Sequence, residues 1–183
     1  MLTNAPTLTT KNLILRGPQK SDLAAFTTWA TTSQRLEHLG GNTNTGDAWR
    51  GFIAGVGHWQ WHGYGFFMIT DKNAGTPLGR MGVLHHSDWP EPELAYHLFD
   101  GAEGRSIGFE AAIAVRHWAG ETLNLKPLMS MIHPDNTRSI TLAKRLGAVP
   151  EADITHDGDP AIMFRHLAHD HADAAAQLSE VSP

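Results

Sequence analysis

A β-prone stretch around Leu13, Ile14, Leu15 and Arg16 sets an apolar run between polar flanks and breaks at Gly17-Pro18. Ser21 then stands as a helix N-cap ahead of Leu23, Phe26 and Ala30, which recur at helical spacing. A second helix is expected from near Thr45, with Trp49, Phe52, Ile53 and Val56 on one face. Two apolar runs flanking the polar turn Asp71-Lys72-Asn73-Ala74-Gly75 predict a hairpin with a longer loop. "PELAYHLF" predicts another strand, with Glu93, Ala95 and His97 directed one way and Leu94, Tyr96 and Leu98 the other. "FEAAIAVRHWAGETL" reads as a helix whose buried stripe is Ile107, Ala111, Ala114, Val115 and Trp118. "PLMSMIH" is a strand, "PDNTRSITLAKRLGA" a helix opened by Pro134 and Asn136 and closed by Gly147, and "AIMFRHL" a closing strand. From Pro77 onward the order is strand, strand, helix, strand, helix, strand, an α/β arrangement around a mixed sheet.

Composition narrows the class. A chain of 183 residues supports one substantial core, so a single domain over residues 1–167 is expected, followed by a frayed, partly helical tail over 168–183. Hydrophobic residues at 41% and charged residues at 18% are ordinary for a globular protein, and six tryptophans with seven phenylalanines can fill its interior. The absence of cysteine removes disulfides, thiolate nucleophiles and thiolate-ligated zinc, and suits the cytoplasm. No apolar run approaches the roughly 20 residues a membrane span needs, and the first residues lack a signal peptide's apolar region, so a cytoplasmic location without membrane attachment is expected. A net charge of −5, from 14 Lys and Arg against 19 Asp and Glu, argues against a nucleic-acid partner. The twelve histidines are scattered without metal-site spacing, so no metal is expected.

The turn "DGAEGRSIGFEAA", from Asp100 to Ala112, sets three glycines, a serine and an arginine at a helix start. Bare backbone N–H groups and the positive end of a helix dipole make an anion site suited to phosphates, and Arg105 adds a charged donor. Such a turn also serves merely to redirect the chain.

The run Gly104, Arg105, Ser106, Ile107, Gly108, Phe109, Glu110, Ala111, Ala112 resembles the acetyl-CoA pyrophosphate loop and helix start of the GNAT acyltransferases, especially the branch related to ribosomal-protein N-terminal acetyltransferases. Gly104, Glu110 and Ala111 match the family's usual residues. "TKNLILRGPQKSDL" resembles its opening strand and first helix start, "GRMGVLHHSDWPEPELAYHL" its central hairpin and following strand, and "HPDNTRSITLAKRLGA" its Pro-x-Asn-x-x-Ser segment. The likeness runs from Leu8 to Leu167 with the motifs in order. Three positions depart from it: Ser106 replaces the loop's second glycine, Glu103 stands beside the loop, and Ala143 replaces a tyrosine found seven residues after the asparagine in many members.

This resemblance implies an α/β (α+β) fold with a mixed, mostly antiparallel central sheet and helices on both faces. It implies an acetyl-CoA-dependent N-acetyltransferase, in which a primary amine attacks the thioester directly, with acetyl-CoA as co-substrate and no metal. The acceptor is a small-molecule amine or a peptide N-terminus, and the protein a monomer or homodimer. Glu93 takes the place of the general base, with Glu91 second. Gly104, Arg105, Ser106, Ile107 and Gly108 take the pyrophosphate. The backbone of Leu98 and Phe99 and the amide of Asn136 take the pantetheine arm, and Ser139 lies near the thiol. With Ala143 in the tyrosine's place, the acid is Ser139, a water or nothing. Trp61, Tyr64, Trp89 and Glu91 are the acceptor-side candidates, whereas Trp59 and Phe67 are expected in the core. The competing readings are a non-catalytic acyl-CoA-binding or regulatory module and a drug-amine acetyltransferase.

Overall fold

The computed structural model describes residues 3–38, 40–156 and 158–183. The strands are β1 (Leu8–Thr9), β2 (Leu13–Arg16), β3 (Phe66–Asp71), β4 (Pro77–Leu84), β5 (Glu93–Leu98), β6 (Met129–Ile132), β7 (Val149–His156) and β8 (Asp159–Arg165). The helices are α1 (Asp22–Thr32), α2 (Thr45–His62), α3 (Ile107–Leu123), α4 (Thr137–Arg145) and α5 (Ala172–Val181), with a 3₁₀ turn at Gln34–Leu36. All eight strands join one sheet in the order β1-β2-β3-β4-β5-β6-β8-β7. Every neighbouring pair is antiparallel except β5 and β6.

That parallel pair decides where a ligand can enter. β5 and β6 share a single register pair, Glu93 with Met129, and then part. Side chains replace the missing ladder. The Met131 N–H donates to the Glu93 carboxylate at 2.9 Å, and the Ser130 hydroxyl donates to the Leu94 carbonyl at 2.7 Å. Ser130 in turn accepts from His166 Nε2, 2.9 Å away. Backbone groups that would otherwise be orphaned in the interior are thus satisfied while the sheet opens.

Each sheet face carries its own core. On one face α3 packs against Leu13, Leu15, Phe67, Ile69, Met81 and Leu94, all at most 1% exposed. Alanines at 111, 112 and 119 let this helix approach closely. Glu110, buried in its first turn, is held by the Thr10 hydroxyl at 2.5 Å, the Asn12 N–H at 2.7 Å and the Asn12 amide at 2.9 Å, which ties α3 to the β1–β2 turn. On the other face Phe26, Trp29 and Ala30 of α1 and Ala48 and Phe52 of α2 pack against Met68 and Phe99.

Several local expectations are revised. Ser21 makes no capping bond; the buried Asp22 carboxylate accepts the Gln19 N–H at 2.7 Å and pairs with Arg16 through two 2.8 Å bonds. In α2 the buried stripe is Ala48, Phe52 and Trp59, while Trp49 and Ile53 are exposed. Trp59 sets that rotation, because its indole N–H donates to the Phe66 carbonyl at 2.8 Å and its ring meets Phe67 edge-on. As expected, Trp59 and Phe67 are core residues. β7 had no apolar signature because it is a largely exposed edge strand. The segment expected to fray instead folds as α5, with Ala174 and Val181 buried and Val181 in the α3 core. Among the described residues, no helix is long and apolar enough to cross a membrane.

Candidate active site

The opening between β5 and β6 separates two cavities. One, of about 480 Å³, is walled by the end of β5, the glycine turn, the start of α3 and α4. The other, of about 760 Å³, lies against α2 on the α1–α2 face of the sheet. Tyr96, His97, Asn136 and Ser139 line both.

The smaller cavity fits a phosphate-bearing group. Gly101 and Gly104 take positive φ values of 85° and 70°, so the turn needs residues without a Cβ there. Ser106 follows at φ 57° and makes no side-chain cap, which leaves the first-turn N–H groups of the 17-residue α3 open to an anion. Arg35, Arg138 and Arg145 line the groove. Glu103, its only lining carboxylate among the described residues, pairs with Arg35, so its repulsion of an anion is largely cancelled. Arg145 donates to the Ser106 hydroxyl at 3.0 Å and stacks 3.9 Å over the Phe109 ring. Gly108 lets α3 and α4 meet, since a Cβ there would lie 3.1 Å from Leu142. These features suit the pyrophosphate and arm of acetyl-CoA.

Two residues expected on this cofactor path are committed elsewhere. Arg105 turns away to Asp71, 3.2 Å distant, and is absent from the groove wall. The Phe99 N–H donates to Leu78 at 2.9 Å, its carbonyl accepts from Ala102 at 3.1 Å, and its ring packs into the α1–α2 core. Leu98, Gly104, Ser106, Ile107 and Gly108 do wall the groove.

Asn136 caps α4, accepting the Ser139 N–H at 3.2 Å, and the Ser139 carbonyl accepts the Tyr96 hydroxyl at 3.3 Å. Burial pushes that phenol up to about 12, a shift the Ser139 bond opposes. Ala143, in the position of the absent tyrosine, is buried.

Glu93 is 8% exposed and lines the larger cavity. Burial pushes its carboxyl up to about 8, and only the Met131 N–H works the other way. Four residues along β5 on the same face, His97 packs against Trp29 with ring centres 4.9 Å apart and accepts at Nδ1 from Arg80 Nε at 2.8 Å. Burial first, and the Arg80 charge second, hold it well below the usual histidine range. His97 is therefore neutral with its proton on Nε2, and it serves as a fixed donor.

The acceptor-side candidates divide. Trp89 lines the larger cavity, stacked 4.3 Å from His86. Trp61 is 85% exposed, and Tyr64 packs beside the core and stacks on His62; neither lines this cavity. Glu91 is locked to Arg165 by two 2.6 Å bonds, which hold its carboxyl below the ordinary range and remove it as base or acceptor contact. Arg80 and Tyr96 had not been singled out from the sequence. Arg80 lines the larger cavity with its Cζ 4.4 Å from the Phe26 ring centre and 4.2 Å from that of Phe66, and burial pulls its guanidinium down to about 9. The hairpin pairing opposite His97 is what gives it significance.

Known proteins share this fold. An acetyltransferase from Agrobacterium tumefaciens is 34% identical, with a TM-score of 0.81, over 88% of this chain and 94% of that one. RimJ of Mycobacterium smegmatis, solved with CoA-disulfide, has the same fold at 16% identity and a TM-score of 0.77, over 98% of this chain and 97% of that one. An aminoglycoside acetyltransferase solved with coenzyme A also has it, at 16% identity and a TM-score of 0.73, over 91% of this chain and 99% of that one. The family described as acetyltransferase (GNAT) domain matches residues 12–149. With its splayed sheet and uncapped glycine turn, the chain belongs to the GNAT acetyltransferase family.

Proposed function

We propose that this protein is an acetyl-CoA-dependent N-acetyltransferase that moves an acetyl group to a primary amine, on a peptide N-terminus or a small molecule. The observation that carries this reading is Glu93, a desolvated carboxyl held up to about 8 where β5 and β6 part, on the wall of the larger cavity. Acetyl-CoA supplies the activated thioester. The N–H groups at Ser106, Ile107 and Gly108 hold its phosphates, with Arg35 and Arg145 balancing charge, and Leu98 and Asn136 flank its arm. Glu93 takes the proton that the acceptor's ammonium must lose. As the thioester is cleaved, the Ser139 hydroxyl or a water protonates the leaving thiolate, or it departs unprotonated; Ser139 lines both cavities, and Tyr96, whose hydroxyl donates to the Ser139 carbonyl, supports it. The remaining work is positioning two reactants against one another across the sheet opening.

Calorimetric titration with acetyl-CoA and with free CoA tests the cofactor half. Saturable binding in the micromolar range is expected, followed by thiol release when amines are added. No binding up to millimolar concentration would sink the reading. Binding without thiol release across a broad amine panel would favour the non-catalytic module.

A further inference from the structure

The larger cavity holds a cation that the chemistry above does not use. Arg80 is the only lysine or arginine among the described residues lining it. Its Nε donates to His97, and its Cζ lies over the rings of both Phe26 and Phe66. Its two terminal nitrogens have no partner among the described residues, and no carboxylate pairs with it. Arg80 is half-buried, and its outer edge, with no carboxylate beside it, is open to the cavity and free to take an anionic partner.

The surroundings leave room for a partner. Where α2 crosses this part of the sheet it presents Gly51, Ala54 and Gly55 to the cavity. A Cβ at Gly55 would come 3.8 Å from Arg80 Nη1, and one at Gly51 would meet nothing within 4 Å. Fixed at Nε and held against two aromatic rings, the guanidinium offers its outer pair of N–H groups, in the planar fork that matches a carboxylate. A dianion suits the cavity less well, because Glu37, Glu93 and Asp159 also line it.

We propose that Arg80 is the receptor for a carboxylate on the acceptor, so that the substrate class is an amine that also carries a carboxylate. This rests on the N-acetyltransferase reading for the amine half and adds to it the anionic half. The register sets the scale. Arg80 lies opposite His97, and Glu93 opposite Leu84, four residues further along the pair, or about 13 Å at the usual strand rise. The acceptor must be long enough for its amine to address Glu93 while its carboxylate meets Arg80, which favours a short peptide or an ω-amino acid over a single α-amino acid. A polycation would meet the Arg80 charge instead.

The test compares tripeptides as free acids with the same tripeptides as C-terminal amides. In the wild-type protein the acid is expected to exceed the amide in kcat/KM by about ten- to hundredfold, and Arg80→Gln to bring that ratio close to one. Arg80→Lys, which keeps the charge and loses the fork, should retain an intermediate ratio. Because each ratio is taken within one protein, it is insensitive to partial loss of folded material. The same preference is read without turnover by titrating acid and amide into CoA-saturated protein. If acetyl transfer fails with every amine, the acid should still bind more tightly than the amide; that result would retire the enzyme reading and leave the carboxylate receptor standing. Equal or undetectable binding of acid and amide, or an unchanged acid-to-amide ratio in Arg80→Gln, overturns the proposal.

Discussion

Glu93 is mostly protonated at neutral pH, because its carboxyl is held up to about 8. If it serves as the base, kcat/KM should climb with pH until the group is ionised near 8, and Glu93→Gln should lower the rate and remove that rising limb with little change in acetyl-CoA affinity. A rising limb that survives in the variant would clear Glu93 of the role. The same shift governs stability. A carboxyl raised from 4.5 toward 8 binds a proton more tightly when folded, so its contribution is full below 4.5 and is lost as pH rises through about 8. Glu93→Gln should therefore raise the Tm at pH 9 relative to wild type, with a smaller difference at pH 5. His166 works from the acid side. Burial pulls it down to about 3, so the stability it lends above 6.5 is lost as pH falls toward 3. Glu93, Asn136 and Ser139 could be picked out in the sequence because the family resemblance singles out their positions, and all three line the larger cavity. Arg80 and Tyr96 were not, since their importance comes from cross-strand register and from the meeting of two cavities.

At the scale of elements, the glycine turn at the start of α3 was readable in the sequence, but its backbone cost was not. Ser106 sits at φ 57°, a left-handed conformation that disfavours residues with a Cβ by about 1–2 kcal/mol. Glycine would relieve that, offset by the greater freedom it gives the unfolded chain. Ser106→Gly is expected to stabilise by about 0.5–1 kcal/mol, seen as a Tm rise of roughly 2–4 °C per kcal/mol. A fall in Tm would mean that the Arg145 bond to the serine hydroxyl outweighs the strain. α2 shows where hydrophobic periodicity misleads. Its tryptophans and isoleucine suggested one face, yet an indole hydrogen bond from Trp59 turned the helix so that Trp49 and Ile53 face outward. β7 was invisible for the opposite reason, an edge strand with too little apolar surface to alternate.

For the molecule as a whole, strand and helix order from Pro77 onward followed from the sequence except for β7, but the closing of the structure by its C-terminal segment did not. α5 contributes Val181 to the α3 core, its carbonyl accepts the Lys11 N–H at 2.8 Å, and Gln177 accepts from the buried Arg116 at 2.7 Å. Short polar-looking sequence conceals this, because only three or four side chains carry the docking. Removing residues 171–183 should expose that apolar surface and leave Arg116 short of a partner, costing roughly 3–5 kcal/mol. A circular-dichroism melt should then show a Tm lower by about 10 °C; an unchanged melt would mark α5 as a passenger.

The glycines of α2 carry a broader implication. Glycine within a helix is less favourable than alanine by about 0.8–1 kcal/mol, and the space beside Gly51 would admit a side chain without strain. The helix thus forgoes stability to keep the larger cavity open. Selection could therefore alter which acceptors fit by adding methyl groups along one turn of α2, leaving the cofactor groove and the sheet opening intact. Under the proposed function, such a division would let the donor groove stay fixed while the range of acceptors drifts in the larger cavity.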